Sequence, residues 1–171
     1  MKNLLTILLL TSLFAGGCNI SEQQKVISDN NIKTPGTQVT ETHNNSTKNT
    51  LDLSNQNLAK IPNDVFNKSN LEELDASNNN LTGAIQAEIR HLGNLRILNL
   101  SNNKMTGVPA EIGQLSKLEY LDLSNNQLTG LPNELGNLQN LKKLDISGND
   151  YSEQDLNKII ENLPVGVQII K

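Results

Sequence analysis

Apolar residues recur along most of this chain in a fixed pattern. The pattern reads Leu-x-x-Leu-x-Leu-x-x-Asn-x-Leu, and its copies begin at positions 48, 71, 95, 118 and 141, which are 23 or 24 residues apart. Within a copy, apolar and polar residues alternate, as at Leu121 and Leu123, and this alternation predicts a short strand with one buried face. Repetition at this period is typical of a solenoid.

The segments between these strands are expected to turn and to run back in short helical pieces. Pro62, Pro109 and Pro132 mark a turn away from the strand, and Ile112 and Leu115 lie one helical turn apart. The second return segment is one residue longer and has Gln86 where the others have proline. The pattern therefore leaves the conformation of that segment undetermined.

Residues 152–171 predict a cap over the last repeat. Ser152 and Asp155 have the spacing of a capping box. Apolar residues at helical spacing follow, and Pro164 is expected to end the helix. The apolar residues near the end of this segment predict one last short strand.

The repeats resemble the leucine-rich repeat family. The copies that carry the resemblance are "KNTLDLSNQNL", "LEELDASNNNL", "LRILNLSNNKM", "LEYLDLSNNQL" and "LKKLDISGNDY". The resemblance implies an α/β solenoid in which residues 48–151 form a horseshoe arc of about five repeats, with a parallel β-sheet on its concave face. No repeat can bury its leucines alone, so the stack forms the core. Lys48 and Gln56 depart from the pattern, as expected of a terminal capping repeat.

One asparagine in each of the last four repeats is predicted to be structural. These residues are Asn79, Asn103, Asn126 and Asn149. Each lies where the chain turns away from its strand, and its amide can pair turn backbone that would otherwise be buried without a hydrogen bond.

Three columns of side chains are predicted to be exposed on the concave face, which in this family binds another macromolecule, most often a protein. The first column is Thr50, Glu73, Ile97, Tyr120 and Lys143. The second column is Asp52, Asp75, Asn99, Asp122 and Asp145. The third column is Ser54, Ser77, Ser101, Ser124 and Ser147.

Ile97 and Tyr120 are the candidate centre of partner binding. They are expected to be neighbours on adjacent strands, flanked by the opposite charges of Glu73 and Lys143. Aromatic residues dominate the hot spots of interfaces. The alternative is a chance exposed pair, since single apolar residues on a surface are normal.

The aspartate column has three interpretations: ordinary family sequence, contribution to partner binding, or a metal site. Calcium requires six to eight oxygens that converge on one point. A row of carboxylates on a curved sheet diverges instead, so we expect no metal and no other cofactor.

The first 18 residues, "MKNLLTILLLTSLFAGGC", indicate secretion. Lys2 precedes an apolar run of about 11 residues, which suits a signal peptide and is too short to span a bilayer. The segment resembles a bacterial lipoprotein signal (residues 1–17), in which case Cys18 carries the lipid. Ala15 departs from that pattern, and cleavage by an ordinary signal peptidase would instead leave a secreted soluble protein.

Residues 18–47 predict a disordered tether. They are rich in Asn, Thr, Ser and Gln and show no helical or strand period. We therefore expect a domain held away from the membrane by a flexible segment that begins at the lipidated cysteine.

Composition excludes several classes of function. The net charge is −4 at pH 7 with no basic cluster, which argues against nucleic acid as a partner. The single cysteine forms no internal disulfide. The serine column has no histidine nearby to act as a base, so the sequence does not predict an enzyme.

The sequence therefore predicts a monomeric module of the bacterial cell envelope that binds a protein. Asn19 follows the lipidated cysteine and favours the outer membrane or cell surface over the inner membrane. The partner can belong to a host or neighbouring cell, or to the same envelope. A passive structural lipoprotein is the remaining alternative.

Overall fold

A computed structural model of the protein describes residues 49–171. The predicted signal peptide (1–17), the lipidation site Cys18, the tether (18–47) and Lys48 lie outside the described residues, and their interpretation stays a prediction.

Eight short strands follow one another along the described chain. They are β1 (Thr50–Asp52), β2 (Glu73–Asp75), β3 (Thr82–Gly83), β4 (Ile97–Asn99), β5 (Lys104–Met105), β6 (Tyr120–Asp122), β7 (Lys143–Asp145) and β8 (Gln168–Ile170). Six of them form one parallel sheet in the order β1-β2-β4-β6-β7-β8. The predicted α/β solenoid with a parallel sheet is confirmed, and its predicted last strand is β8.

The strand register aligns one leucine of each repeat with the next. Leu74, Leu98 and Leu121 are paired across β2, β4 and β6, and each is at most 1% exposed. The buried core is continuous from Leu53 to Ile159 and is almost wholly aliphatic, with Phe66 as the one phenylalanine among the described residues. A stack of short repeats obtains its stability from such contacts between neighbours.

The asparagine column forms a ladder inside the turns. The side-chain amide of Asn103 donates to the carbonyls of Ala76, Leu100 and Ser101 at 3.0–3.1 Å, and its carbonyl oxygen accepts from the backbone N–H of Leu81. Asn79, Asn126 and Asn149 repeat the arrangement. Each asparagine thereby ties its own turn to the turn of the preceding repeat.

A second asparagine sets the shape of the same turns. Asn78, Asn102 and Asn125 precede the ladder residues and have φ of 53–56°, in the left-handed region that asparagine tolerates better than most residues. In the last repeat Gly148 takes this position with φ of 66°. The doubled asparagine of the three middle repeats therefore combines a backbone requirement with a hydrogen-bonding one.

The return segments are 3₁₀ helices. They are Asn63–Asn67, Ala87–His91, Ala110–Gln114 and Asn133–Asn137. The residue before each is Pro62, Gln86, Pro109 or Pro132, in extended conformation. Gln86 therefore occupies the proline position after all, and its side-chain amide donates to the carbonyl of Ile61.

The extra residue of the second repeat accompanies a second, two-stranded sheet. Strands β3 and β5 pair in parallel, with Thr82 opposite Lys104 and Gly83 opposite Met105. Sequence analysis did not predict this sheet. Its two-residue strands contain one buried side chain, Met105, and show no alternation that could have indicated them.

The cap consists of helix α1 (Glu153–Ile160) and strand β8. Leu156 and Ile159 are fully buried against the last repeat. Two details of the prediction were wrong: Ser152 makes no side-chain capping hydrogen bond, and the helix ends at Ile160 rather than at Pro164. The α-helix gives way to a turn before the proline, because the N–H of Asn162 donates to the carbonyl of Ile159, only three residues earlier. Among residues 49–171, no helix has the length and apolarity needed to cross a membrane.

Candidate partner-binding face

The first column lies on the concave face of the six-stranded sheet as one row of side chains. Parallel pairing places Glu73 opposite Ile97, Ile97 opposite Tyr120, and Tyr120 opposite Lys143. Neighbouring strands lie about 4.8 Å apart. The structure therefore brings the four residues into direct succession across the sheet.

An apolar hollow lies at the middle of this row. It has a volume of about 280 Å³ and is lined by Ile97, Leu98, Asn99, Tyr120, Leu121, Asp122 and Lys143. Tyr120 is 42% exposed, whereas Ile97 is half-buried beside it. A partner side chain placed here would cover an aromatic face on a sheet whose other exposed positions are mostly polar.

The second column makes local hydrogen bonds on the same face. The carboxylate oxygen Oδ1 of Asp122 accepts from both the N–H (2.9 Å) and the hydroxyl (2.6 Å) of Ser124. Asp145 Oδ1 likewise accepts hydrogen bonds from the N–H and the hydroxyl of Ser147, and Asp75 Oδ1 accepts one from the N–H of Ser77. These bonds fix the start of the turn after each strand and occupy one oxygen of each carboxylate.

Two further members of this column, Asp52 and Asn99, also accept hydrogen bonds from the serine two residues later. Hydrogen bonds from the hydroxyl and then from the backbone N–H of Ser54 hold the pKa of Asp52 below its usual value. Asn99 accepts from Ser101 and donates to Asp75 Oδ2 at 3.1 Å. The one amide in the row thus satisfies the neighbouring carboxylate, which limits the repulsion between adjacent acidic side chains.

The expectation that the serine column is exposed was wrong for its three central members, whereas Ser54 and Ser147 in the first and last repeats are half-buried. Ser77, Ser101 and Ser124 are only 4–7% exposed. In each turn the backbone N–H of the serine bonds to the residue two positions earlier, and the three buried serines also have a neighbouring repeat on each side. Alternation predicts an outward side chain only while the strand continues.

No metal site is found in the part of the chain that the structure describes. There, no group of three or more His, Cys, Asp or Glu side chains is placed to hold an ion.

A ladder of alternating charge borders the row of Ile97 and Tyr120, where the chain enters each strand. Glu72, Arg96, Glu119 and Lys142 occupy this edge on successive repeats. Arg96 Nε and Nη2 both lie 2.8 Å from Glu119 Oε1, Lys142 Nζ donates to Glu119 Oε2, and Arg96 Nη1 lies 4.0 Å from Glu72. Glu119 is thus held by cations on both sides.

These contacts shift the pKa of the groups that make them. Hydrogen bonds from Lys142 and then Arg96 lower the pKa of Glu119 below its usual value. The hydrogen bond and charge of Glu119 raise the pKa of Arg96. Glu119 and Arg96 are therefore both charged at neutral pH.

A second depression lies along this edge. The cationic groove, lined by Arg96, Lys117, Glu119, Asn140 and Lys142, also has a volume of about 280 Å³. Lys117 Nζ donates to Asn94 Oδ1 at 2.7 Å. Sequence analysis missed Lys117, Asn140 and Lys142; the available signal was their position at or beside the first leucine of a repeat.

Comparison with known proteins identifies the repeats. The leucine-rich repeat family model matches residues 49–105 and 93–150. A solved leucine-rich repeat protein of Leptospira interrogans is 42% identical with a TM-score of 0.61, and the match covers 66% of this chain and 28% of that one. No curated protein matches the chain.

Other solved structures share the fold. The ectodomain of the Arabidopsis thaliana receptor kinase GASSHO1/SCHENGEN3, solved in complex with CASPARIAN STRIP INTEGRITY FACTOR 2, is 46% identical with a TM-score of 0.51 over 54% of this chain and 11% of that one. An internalin of Listeria monocytogenes is 22% identical with a TM-score of 0.56 over 65% of this chain and 31% of that one, which shows the fold alone. This chain spans less than a third of the length of each of these proteins.

Proposed function

Because the chain belongs to the leucine-rich repeat family, whose repeats generally serve as non-enzymatic binding modules, we propose that it binds a protein through its concave sheet face. The apolar hollow at Ile97 and Tyr120 carries the proposal. Hot spots of protein interfaces cluster around aromatic residues at the centre of a contact surface, surrounded by polar groups that exclude water. Tyr120 has this setting, with charged columns on both sides.

The size of the face limits the partner. Six strands at a spacing of about 4.8 Å give a sheet roughly 24 Å wide. Such a surface accommodates one loop, one extended segment or one small domain. The similar plant ectodomain was solved in complex with CASPARIAN STRIP INTEGRITY FACTOR 2, which supports a binding role for repeats of this family.

We further propose that the module is anchored in a bacterial envelope through lipid at Cys18, on the outer membrane or cell surface. Support comes from the sequence of residues 1–18 and from Asn19, as argued above. Two or more acyl chains give stable anchoring, whereas one chain gives only marginal binding.

Crosslinking on intact cells tests the binding proposal. Cells would carry the full chain as wild type, as an Ile97→Asp, Tyr120→Ala variant, or as a Val165→Asp control. Val165 is fully exposed in the cap and does not line the hollow, so its change adds the same charge without altering the hollow. We expect one protein to be captured by the wild type and the control and lost by the hollow variant.

Identical capture by a folded hollow variant would remove the concave face from consideration. If scrambling both exposed columns also changes no property of the cells, the passive structural alternative is favoured. The fold of each variant is checked by its urea midpoint, since Ile97 is half-buried.

The anchor is tested separately. Metabolic labelling with a fatty acid should label the wild type and not a Cys18→Ser variant, and the variant should leave the membrane fraction. An unlabelled wild type found in the medium would instead support a secreted soluble protein. Protease treatment of whole cells then distinguishes an outward-facing module from one that faces the periplasm.

A further inference from the structure

The apolar hollow and the cationic groove are lined by residues that are adjacent in the chain. Each residue pair Arg96–Ile97, Glu119–Tyr120 and Lys142–Lys143 contributes one member to the groove and the next to the hollow. Consecutive Cα atoms lie about 3.8 Å apart, so the two linings are close to each other. A bound segment can therefore reach both depressions with side chains that are one to three residues apart.

The groove carries more positive charge than its one carboxylate neutralises. Three cationic side chains and one carboxylate line it. Both oxygens of Glu119 are bonded, Oε1 to Arg96 and Oε2 to Lys142, and its side chain is only 15% exposed. Both oxygens of Glu119 are thus engaged by the two cations, and its side chain is less exposed than theirs.

The cations keep donors for a second anion. The side chains of Arg96 and Lys142 are 47% and 59% exposed despite their bonds to Glu119. A lysine ammonium has three N–H donors and a guanidinium has five. Lys117, which is exposed and bonds to the neutral Asn94, adds a charge that has no acidic partner among the described residues.

The opposite flank of the hollow has the opposite charge. Asp122 lines it, and Asp145 follows on the next strand, where its Oδ2 lies 3.6 Å from Lys143. A partner carboxylate is repelled on that side and attracted on the groove side. The two flanks therefore fix which way a charged segment can lie.

From this charge complementarity we infer that the partner presents an acidic segment, in which a large apolar side chain fills the hollow and an Asp or Glu one to three residues away enters the groove. The inference rests on the proposed function, because it uses the same face. The contribution of each partner acid should be modest, since exposed ion pairs are weak: we expect about a two- to fivefold change in affinity per acidic residue.

The test is a selection of random linear peptides on the immobilised, detergent-solubilised full chain. Three variants are compared with the wild type: Lys117→Glu, Tyr120→Ala, and the control Lys104→Glu, which makes the same charge change at the exposed first residue of β5. Peptides selected by the wild type and by the control should combine an aromatic or large aliphatic residue with a nearby Asp or Glu. Lys117→Glu should lose the acidic preference and keep the apolar one, and Tyr120→Ala should select nothing.

The two proposals can fail separately. Peptides that need Tyr120 but show no acidic enrichment, or show Lys and Arg instead, overturn the inference and leave the proposed function standing. If no selected peptide depends on Tyr120, the proposed function itself fails.

A selected peptide and its Glu→Gln copy give the quantitative check. The acidic peptide should bind about two- to fivefold more tightly than the copy per replaced acid at low salt. The difference should shrink when NaCl is raised from about 0.05 M to about 0.5 M, because screening acts on exposed charges. A difference that salt does not change would contradict the ionic contact.

Discussion

Asn103 shows how one side chain can satisfy several buried backbone groups. It pairs three carbonyls and one N–H from two neighbouring turns, and it is only 8% exposed. The recurrence of this asparagine at a fixed position was enough to predict its role. The serines of the neighbouring column could not be placed by the same means, because their orientation depends on a hydrogen bond two residues away.

Asn103→Ala should lower the free energy of unfolding by about 2 to 4 kcal/mol, because buried carbonyls lose their donors and gain none. Urea denaturation followed by circular dichroism measures the change. Asn137→Ala is the control, since Asn137 is exposed at the end of the fourth 3₁₀ helix. Equal losses in the two variants would contradict the ladder as a source of stability.

At the scale of elements, the third and fourth 3₁₀ helices approach each other so closely at Gly113 that no side chain fits there. A Cβ at Gly113 would lie 2.2 Å from the backbone oxygen of Glu134 on the next return segment. The sequence contains the glycine but gives no reason for it, because the contact joins residues of different repeats.

Gly113→Ala should therefore force the third and fourth 3₁₀ helices apart and destabilise the protein by about 1 to 3 kcal/mol. Gly93→Ala, where nothing lies within 4 Å of the new methyl group, should have little effect. Thermal unfolding of the two variants under one condition makes the comparison. A tolerated alanine at position 113 would show that the return segments can shift at little cost.

The charge ladder at the sheet edge links three repeats through Glu119, and its contribution should depend on pH. The pKa of Glu119 is lowered in the folded protein, so its ion pairs stabilise the fold above the unfolded-state value of about 4.5 and are lost as pH falls through the lowered value. The stability difference between wild type and Glu119→Gln should be constant near neutral pH and shrink below pH 4.5.

Urea midpoints measured at several pH values for both proteins give this difference, and carboxylates common to both cancel. Glu88→Gln, which removes an exposed carboxylate from the second 3₁₀ helix, is the control. If the Glu119→Gln difference persists unchanged well below pH 4, the ladder is not its cause.

Across the whole repeat domain, stability depends on covering the last repeat. Helix α1 does this with Leu156 and Ile159, both fully buried. A repeat array is held by contacts between neighbours, so an uncovered end weakens the repeat behind it.

Leu156→Ala should cost about 2 to 5 kcal/mol, because it leaves a cavity between the cap and the solenoid. Ile160→Ala is a matched change on the same helix, and its side chain is 38% exposed, so the loss should be about 1 kcal/mol or less. Denaturant unfolding compares the two. Similar losses would mean that the cap packs loosely and that another element closes the core.

The sequence by itself determined the repeat, the sheet, the asparagine ladder and the pairing of Ile97 with Tyr120. Each of these follows from the repeat period of the sequence. In a stack of similar units, the period determines which residues become neighbours. The helix and the last strand of the end cap were predicted, although the helix is shorter than the spacing of its apolar residues indicated.

Only the tertiary structure decided the features that arise between repeats. The pairing of β3 with β5, the contact at Gly113 and the cationic groove each join residues about 23 apart in sequence, and the burial of the three central serines arises in the turns. Their positions follow from how the turns are hydrogen-bonded and how closely the return segments pack. A period predicts which residues are neighbours, but the packing of the turns decides which way they point and what charge they present together.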